Sequence, residues 1–126
     1  YLTIATTGNA TDFGDLVTTQ YGGRSSSSAT RCVWGGGGPV TDVMQYVEIA
    51  TTGNSLDFGD LTEARIGNSS VGNSIRGVWG GGYTPTFVNT MDFVKIATNG
   101  IANDFGELLN KHRNYGALSD SHGGLE

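Results

Sequence analysis

The chain has 126 residues, 21 of them glycine, with 15% charged residues and a formal net charge of -5. The seven Lys and Arg side chains are too few to neutralise many phosphates, so no nucleic-acid partner is expected. No run of about 18 apolar residues is present, so no membrane span is expected. Because good helix formers are scarce, the composition favours an all-β fold.

The N-terminal segment, residues 1–16, begins with an apolar, β-branched run and passes through a Gly-Asn turn signal into Asp-Phe-Gly-Asp-Leu. This order predicts a strand and then a hairpin that leads to a second strand. The same unit returns twice, with 45 residues between Ile4 and Ile49 and 47 between Ile49 and Ile96. A fixed period of this length indicates a repeat protein.

A second repeated stretch, Arg-x-Val-Trp-Gly-Gly-Gly, occurs at residues 31–37 and 76–82. Glycine has no Cβ and tolerates positive φ, so these clusters predict tight turns beside another backbone or a large side chain. The additional residues of the longer repeat fall after Gly82, where we expect a loop from Tyr83 to Phe87. The Ser/Gly-rich segments that precede each stretch keep a constant position, which favours strands over flexible linkers.

Each repeat therefore predicts four short strands, and four antiparallel strands every 45 to 47 residues are typical of a β-propeller blade. A solenoid is the main alternative. We divide the single repeat domain, residues 1–126, into a partial first repeat (1–30), a second repeat (31–75) and a third repeat with the start of the next (76–126).

Arg65, the Val78-Trp79-Gly80-Gly81 strand end and the segment from Asn89 to Phe93 together resemble a kelch repeat. The resemblance covers nearly the whole chain. It departs from the family where a late Trp is replaced by Phe13, Phe58 and Phe105. The amino-acid sequence of the repeats is also similar to repeats in predicted virion or tail-associated proteins of bacteriophages, especially marine ones. That resemblance implies a virion or extracellular protein that contacts other virion proteins or a host surface.

The chain holds fewer than three predicted blades, whereas propellers have about four to eight. We therefore expect an incomplete ring, completed by self-association or by the remainder of a longer chain. If the 126 residues are the whole protein, two chains forming a ring of about six blades is the hypothesis. Tyr1 in place of Met suggests a processed chain or a fragment, and Leu125-Glu126 is compatible with a cloning remnant.

No residue pattern predicts catalysis. Asp57-Phe58-Gly59 matches a kinase magnesium motif, but it recurs without a nucleotide loop, so we interpret Phe58 as a buried residue between turn residues. Gly36 and Gly81 lie in the glycine clusters and are interpreted as structural turns, because neither is followed by a phosphate-binding Lys-Ser/Thr. Exact repetition leaves no unique catalytic constellation, and neither an enzyme nor a cofactor is expected.

The recurring carboxylates, Asp57 and Asp104 among them, predict turn hydrogen bonds, with a calcium-binding ring as the less favoured alternative. Arg31 and Arg76 precede the two tryptophans and predict ion pairs or stacking between blades. The single cysteine, Cys32, excludes an internal disulfide and is interpreted as a small residue in a tight strand.

Trp34 and Trp79 are expected in the core, with sugar-stacking platforms as the alternative. The non-repeated residues Tyr83, Thr84, Pro85 and Phe87 are the favoured candidates for partner contact. Two functions follow: a non-enzymatic structural or interaction module, or a lectin with repeated sites that binds surface glycan by avidity.

Overall fold

A computed structural model describes residues 1–119, so Leu125-Glu126 lies outside the described residues. These residues form strands and no helix. The strands are β1 (Arg24–Ser27), β2 (Arg31–Gly35), β3 (Thr41–Glu48), β4 (Leu56–Arg65), β5 (Ser69–Gly72), β6 (Arg76–Thr84), β7 (Thr86–Lys95) and β8 (Asn103–Glu107).

Two antiparallel sheets of four strands each contain all of these elements, with the first sheet ordered β1-β2-β3-β4 and the second β5-β6-β7-β8. The register repeats as well, because Trp34 pairs with Gln45 in the first sheet and Trp79 pairs with Asp92 in the second. The prediction of an all-β fold with four antiparallel strands per repeat is confirmed for the two complete units among the described residues.

The sheets do not begin where the sequence repeats were divided. Residues 31 and 76 start the second strand of each sheet, because β1 and β5 precede them. Equivalent positions are nevertheless easy to follow: Phe13 and Phe58 are 45 residues apart, and Phe58 and Phe105 are 47 apart.

The N-terminal segment differs from its prediction, because residues 1–20 contain no strand. Tyr1 and Thr11 do exchange two hydrogen bonds, with the Thr11 amide donating to the Tyr1 carbonyl at 2.9 Å and the Tyr1 ammonium donating to the Thr11 carbonyl at 2.6 Å. The equivalent residues, Tyr46 and Leu56, pair in the first sheet. The pairing is therefore the expected one, but among the described residues it does not extend into a ladder. Residues 108–119, where another first strand was expected, also lack a strand.

The core lies between the two sheets and draws on both. Its buried residues are Val33, Met44, Tyr46, Phe58, Leu61, Trp79, Val94, Ile96 and Ala102. The indole N–H of Trp79 crosses the interface and donates to the Arg24 carbonyl at 2.8 Å. Burying side chains of this size contributes about 1.5–3 kcal/mol each, so the interface is the main apolar contribution to stability.

Successive units are also joined by a repeated backbone contact. The Gly53 amide donates to the Phe13 carbonyl at 2.7 Å, and the Gly100 amide donates to the Phe58 carbonyl at the same distance. Two residues farther along each segment, a second pair of equivalent amide-to-carbonyl hydrogen bonds joins the units at similar distances. The strand corresponding to β4 in one unit therefore meets the loop before that strand in the next unit, twice in the same way.

Glycine allows this close approach. A Cβ at Gly14 would overlap the carbonyl of Gly53, and a Cβ at Gly59 would overlap the carbonyl of Gly100. Both Gly14 (φ 145°) and Gly59 (φ 136°) also have a backbone conformation that L side chains rarely adopt. The contact thus requires glycine at this position of the Asp-Phe-Gly segment.

Candidate interaction surfaces

The prediction of a loop from Tyr83 to Phe87 was wrong, because this segment extends the β6–β7 hairpin. β6 continues to Thr84 and β7 starts at Thr86, which leaves only Pro85 between them. Tyr83 pairs with Phe87 and also forms a bridge with Ile66. These partners continue the ladder, so the additional residues lengthen two strands instead of forming a separate loop.

The end of this hairpin, residues 83–87, is named the hairpin tip. The rings of Tyr83 and Phe87 meet edge to face with centroids 5.7 Å apart. The guanidinium of Arg113 lies 5.5 Å from the Tyr83 centroid and 5.3 Å from that of Phe87. Phe87 is 46% exposed, so the hairpin tip presents an aromatic surface with a cation beside it. Sequence reasoning missed Arg113, although it stands where the earlier repeat has Ile66.

The structure separates the two tryptophans that the sequence made equivalent. Trp79 is fully buried between the sheets, whereas Trp34 is partly exposed. Trp34 lines an open cleft of about 350 Å³ together with Gln20 and Ser25, among others. We name this the Trp34 cleft. Trp79 therefore lies in the core as expected, and Trp34 presents aromatic surface beside polar groups.

Cys32 lines the same cleft. Burial raises the pKa of its thiol, and a hydrogen bond with Ser25 opposes that rise. At neutral pH the thiol is protonated and therefore a poor nucleophile. The equivalent Gly77 is packed differently, because a Cβ there would lie 2.7 Å from the Trp79 ring and 3.0 Å from Ser26 Cβ.

Arg31 connects the two sheets. It forms an ion pair of 2.6 Å with Glu48 and lies over the Tyr46 ring, 4.2 Å from the centroid. Its Nη1 donates to the Ile96 carbonyl at 3.2 Å and to Asn99 Oδ1 at 3.0 Å, both in the next unit. Arg31 thus makes an ion pair, a stacking contact and a contact between units.

Arg76 holds the equivalent position in the second sheet but has different surroundings. Its guanidinium lies over the Phe93 ring, 4.6 Å from the centroid, and its side chain is exposed. Where Arg31 pairs with Glu48, Arg76 is paired across the strands with Lys95. The repeated arginine therefore lies at a packed interface in one sheet and on an open face in the other.

The repeated glycine turns receive a side chain from the following unit. Gly36 (φ 67°) lies against Asn68, and a Cβ on Gly36 would be 2.9 Å from Asn68 Nδ2. Gly81 (φ 59°) lies against Tyr115, with Cε1 at the same 2.9 Å from the Cβ position. Gly81 also sits at a register shift of the β6–β7 ladder. These contacts give the glycine clusters a packing role.

Two of the recurring carboxylates make short-range turn hydrogen bonds. Asp12 Oδ1 accepts from the Gly14 amide at 3.2 Å, and Asp104 Oδ1 accepts from the Gly106 amide at 2.9 Å. Among residues 1–119, no group of three or more His, Cys, Asp and Glu side chains is placed to hold a metal ion.

Asp57 belongs to a small acidic group on the first sheet. The pKa of Asp60 is raised, first by partial desolvation of its carboxylate and then by the negative charges of Asp42 and Asp57. Because Asp60 is exposed, the group weakens the sheet only slightly.

Sequence reasoning also missed a buried ion pair. Arg65 Nη2 lies 2.5 Å from Asp92 Oδ2, and both side chains are completely buried. Asp92 further accepts from the Thr62 amide at 3.2 Å. The equivalent Gln45 accepts from the Val17 amide at 2.8 Å, so both side chains reach back to the same place in the preceding unit. The available signal for Asp92 was an acidic residue between two apolar neighbours, Met91 and Phe93, in a strand.

Comparisons with known proteins gave no assignment. No protein-family model matches the chain, and no curated protein matches its sequence. In the described part of the chain, no helix has the length and apolar character needed to cross a membrane.

Proposed function

We propose that the chain is a non-enzymatic structural and interaction module built from kelch-like β-propeller blades. The observation that supports this is the repeated contact between units, in which Gly53 donates to Phe13 and Gly100 donates to Phe58 at the same 2.7 Å. A contact that recurs with the same distance places successive units in a similar relation to one another, as the blades of a propeller are placed.

The hairpin tip is the proposed partner contact. At the hairpin tip β6 and β7 continue beyond the equivalent strands of the first sheet, where β2 ends at Gly35 and β3 starts at Thr41. Its exposed Phe87 and the cation of Arg113 combine the aromatic and Arg surface that protein interfaces favour. The repeated residues hold the frame, and the tip supplies specificity.

We propose a place in a phage particle, and hence a virion or extracellular location, because the sequence of the repeats resembles that of repeats in phage virion and tail-associated proteins. Antibodies against the chain should label purified particles of a phage that encodes it, as seen by immunogold electron microscopy. If the antibody labels only the soluble fraction of infected cells and leaves the purified particles unlabelled, the virion assignment is contradicted. Particles of a phage lacking the gene are the control.

A lectin is the second candidate, and the Trp34 cleft favours it. An aromatic face beside the polar side chains of Gln20 and Ser25 suits a pyranose, which has an apolar side and hydroxyl groups. Binding of a sugar should change the emission of Trp34 but not of buried Trp79, so the change should vanish in Trp34→Phe. A glycan array without hits and an unchanged emission spectrum would remove this candidate.

A further inference from the structure

The open side of β8 is the feature from which this inference starts. Phe58, in the equivalent position of the first sheet, is 2% exposed, whereas Phe105 is 47% exposed. A Cβ at Gly59 would overlap the Gly100 carbonyl, but a Cβ at Gly106 would meet nothing within 4 Å. Gly106 has the same unusual backbone, with φ 127°, as Gly59 with φ 136°. β8 is therefore shaped for a close neighbour that residues 1–119 do not supply.

Internal equivalence identifies what fits there. The neighbour of Phe13 is the loop at Gly53, and the neighbour of Phe58 is the loop at Gly100. One step earlier in the same series, 45 residues before Gly53, stands Gly8. The loop at Gly8 already carries the pattern that β8 requires.

The loop at Gly8 is free to make this contact. A Cβ at Gly8 would meet nothing within 4 Å, as is also true of Gly53 and Gly100. Residues 1–12 are exposed throughout. The exposed Gly8 loop and the open side of β8 therefore lie far apart in the sequence, and each is the partner that the other lacks.

We propose that the chain associates head to tail with a second copy of itself, the Gly8 loop of one copy packing on β8 of the other. The inference rests on the proposed blade architecture. By equivalence, the Gly8 amide donates to the Phe105 carbonyl, as Gly53 donates to Phe13. The Ala10 amide donates to the Glu107 carbonyl, as Ala102 donates to Asp60 at 2.8 Å.

The side chains extend the same match. Asn54 Oδ1 accepts from the Asp15 amide at 2.9 Å. Its equivalent Asn9 is placed to accept from the Glu107 amide of the other copy. Arg31 donates to the Ile96 carbonyl across the interface between the sheets at 3.2 Å.

In the same way, the exposed Arg76 of one copy is placed to donate to the Ile4 carbonyl of the next. The exposed guanidinium of Arg76 would then join two units across the junction, as Arg31 does within the chain.

The same junction covers the Trp34 cleft, so this association and sugar binding in that cleft exclude each other. Within the chain, Trp79 of the second sheet donates to the carbonyl of Arg24 in the first sheet. The residues equivalent to Arg24 in the following units are Ser69 and Gly116. The junction therefore brings residues 115–118 of one copy over Trp34 of the next. Trp34 should pass from partly exposed to buried on association, and its emission should shift to shorter wavelength.

Light scattering at rising micromolar concentration, with far-UV circular dichroism for folding, tests the junction. The wild-type chain should reach a mass of two chains or more. Phe105→Lys should remain a monomer, because it places a charge where Phe58 is buried. Val40→Lys is the matched control, since Val40 is 48% exposed against 47% for Phe105 but lies outside β8, the Gly8 loop and the hairpin tip. It should associate like the wild type.

A second variant keeps the test decisive if Phe105→Lys fails to fold. Arg76→Glu changes an exposed side chain and should weaken association at least tenfold, and it should abolish the emission shift of Trp34. A wild-type mass of one chain throughout would overturn the inference, as would equal effects of Phe105→Lys and Val40→Lys. A folded monomer would leave the proposed blade architecture intact, because that rests on contacts within the chain.

Discussion

Arg65 and Asp92 form an ion pair of 2.5 Å that joins the end of β4 in the first sheet to the middle of β7 in the second. Both side chains are fully buried. The equivalent residues one unit earlier are Gln20 and Gln45, which are neutral. The same two positions are therefore occupied once by neutral amide side chains and once by an ion pair.

Removing one member of the ion pair should be much more harmful than replacing both. Asp92→Ala leaves the buried Arg65 charge with the longer 3.5 Å contact to Glu63 in place of its 2.5 Å partner, and it should lower the free energy of unfolding by about 3 kcal/mol. The double variant Arg65→Gln/Asp92→Gln, which copies the first unit, should recover a large part of that loss. Urea denaturation measures both. Equal stability of the single and double variants would contradict the idea that the buried charge left without Asp92 is the cause.

Two equivalent glycines allow the contact between units to be measured. Gly59→Ala should lower the free energy of unfolding by about 1–3 kcal/mol more than Gly106→Ala, because only the first would overlap a carbonyl, that of Gly100. The backbone strain is similar, with φ 136° and 127°, so it largely cancels in the comparison. The measurement belongs at high dilution, where the proposed self-association leaves Gly106 open. Equal losses would mean that the close approach contributes nothing.

The two repeated arginines should differ in the same manner. Arg31→Ala loses the hydrogen bonds to the Ile96 carbonyl and to Asn99, and we expect a loss of about 1–3 kcal/mol. Arg76→Ala removes an exposed side chain and should cost the monomer about 0.5 kcal/mol or less. Thermal unfolding of dilute samples checks the difference. Similar melting temperatures would show that Arg31 does not hold the sheets together.

Asp60 should make stability depend on pH. Its pKa is raised by partial desolvation and by the charges of Asp42 and Asp57, so the folded protein binds the proton more tightly than the unfolded chain. The free energy of unfolding therefore falls as the pH rises from the pKa of Asp60 in the unfolded chain to its pKa in the folded protein. Above the folded pKa the loss stays constant.

Asp60→Asn should consequently be slightly more stable than the wild type at neutral pH. The advantage should shrink as the pH falls through the folded pKa of Asp60 and disappear below the pKa of an unperturbed aspartate, about 4. Chemical denaturation across this range tests the sign. A variant that is less stable at neutral pH would mean that the carboxylate forms a favourable contact instead.

The strands of the two sheets could be predicted because both units carry the same pattern. The same pattern in residues 1–20 forms no strand, so the repeat alone does not decide where a sheet is completed. The hairpin tip could not, because Tyr83 and Phe87 occur once and their ladder depends on pairing with residues such as Ile66. The difference between Trp34 and Trp79 was also out of reach. Their local sequences match, and only the neighbouring unit decides which ring is buried.

The pair of Arg65 and Asp92 escaped prediction for a related reason. Its members are 27 residues apart and lie in different sheets, and the earlier unit uses glutamine at both positions, so no charge pattern repeats. Sequence periodicity reports what the units share. Contacts that differ between units require the tertiary structure.

The close fit at Gly59 has a consequence for how such chains lengthen. Each unit carries both halves of the contact, a glycine-containing strand and the loop that packs on the strand of the unit before it. An in-frame duplication of 45 to 47 codons would therefore insert a part that already fits on both sides, without any new surface having to evolve. The number of units can then change through recombination, while substitutions at the hairpin tip proceed independently.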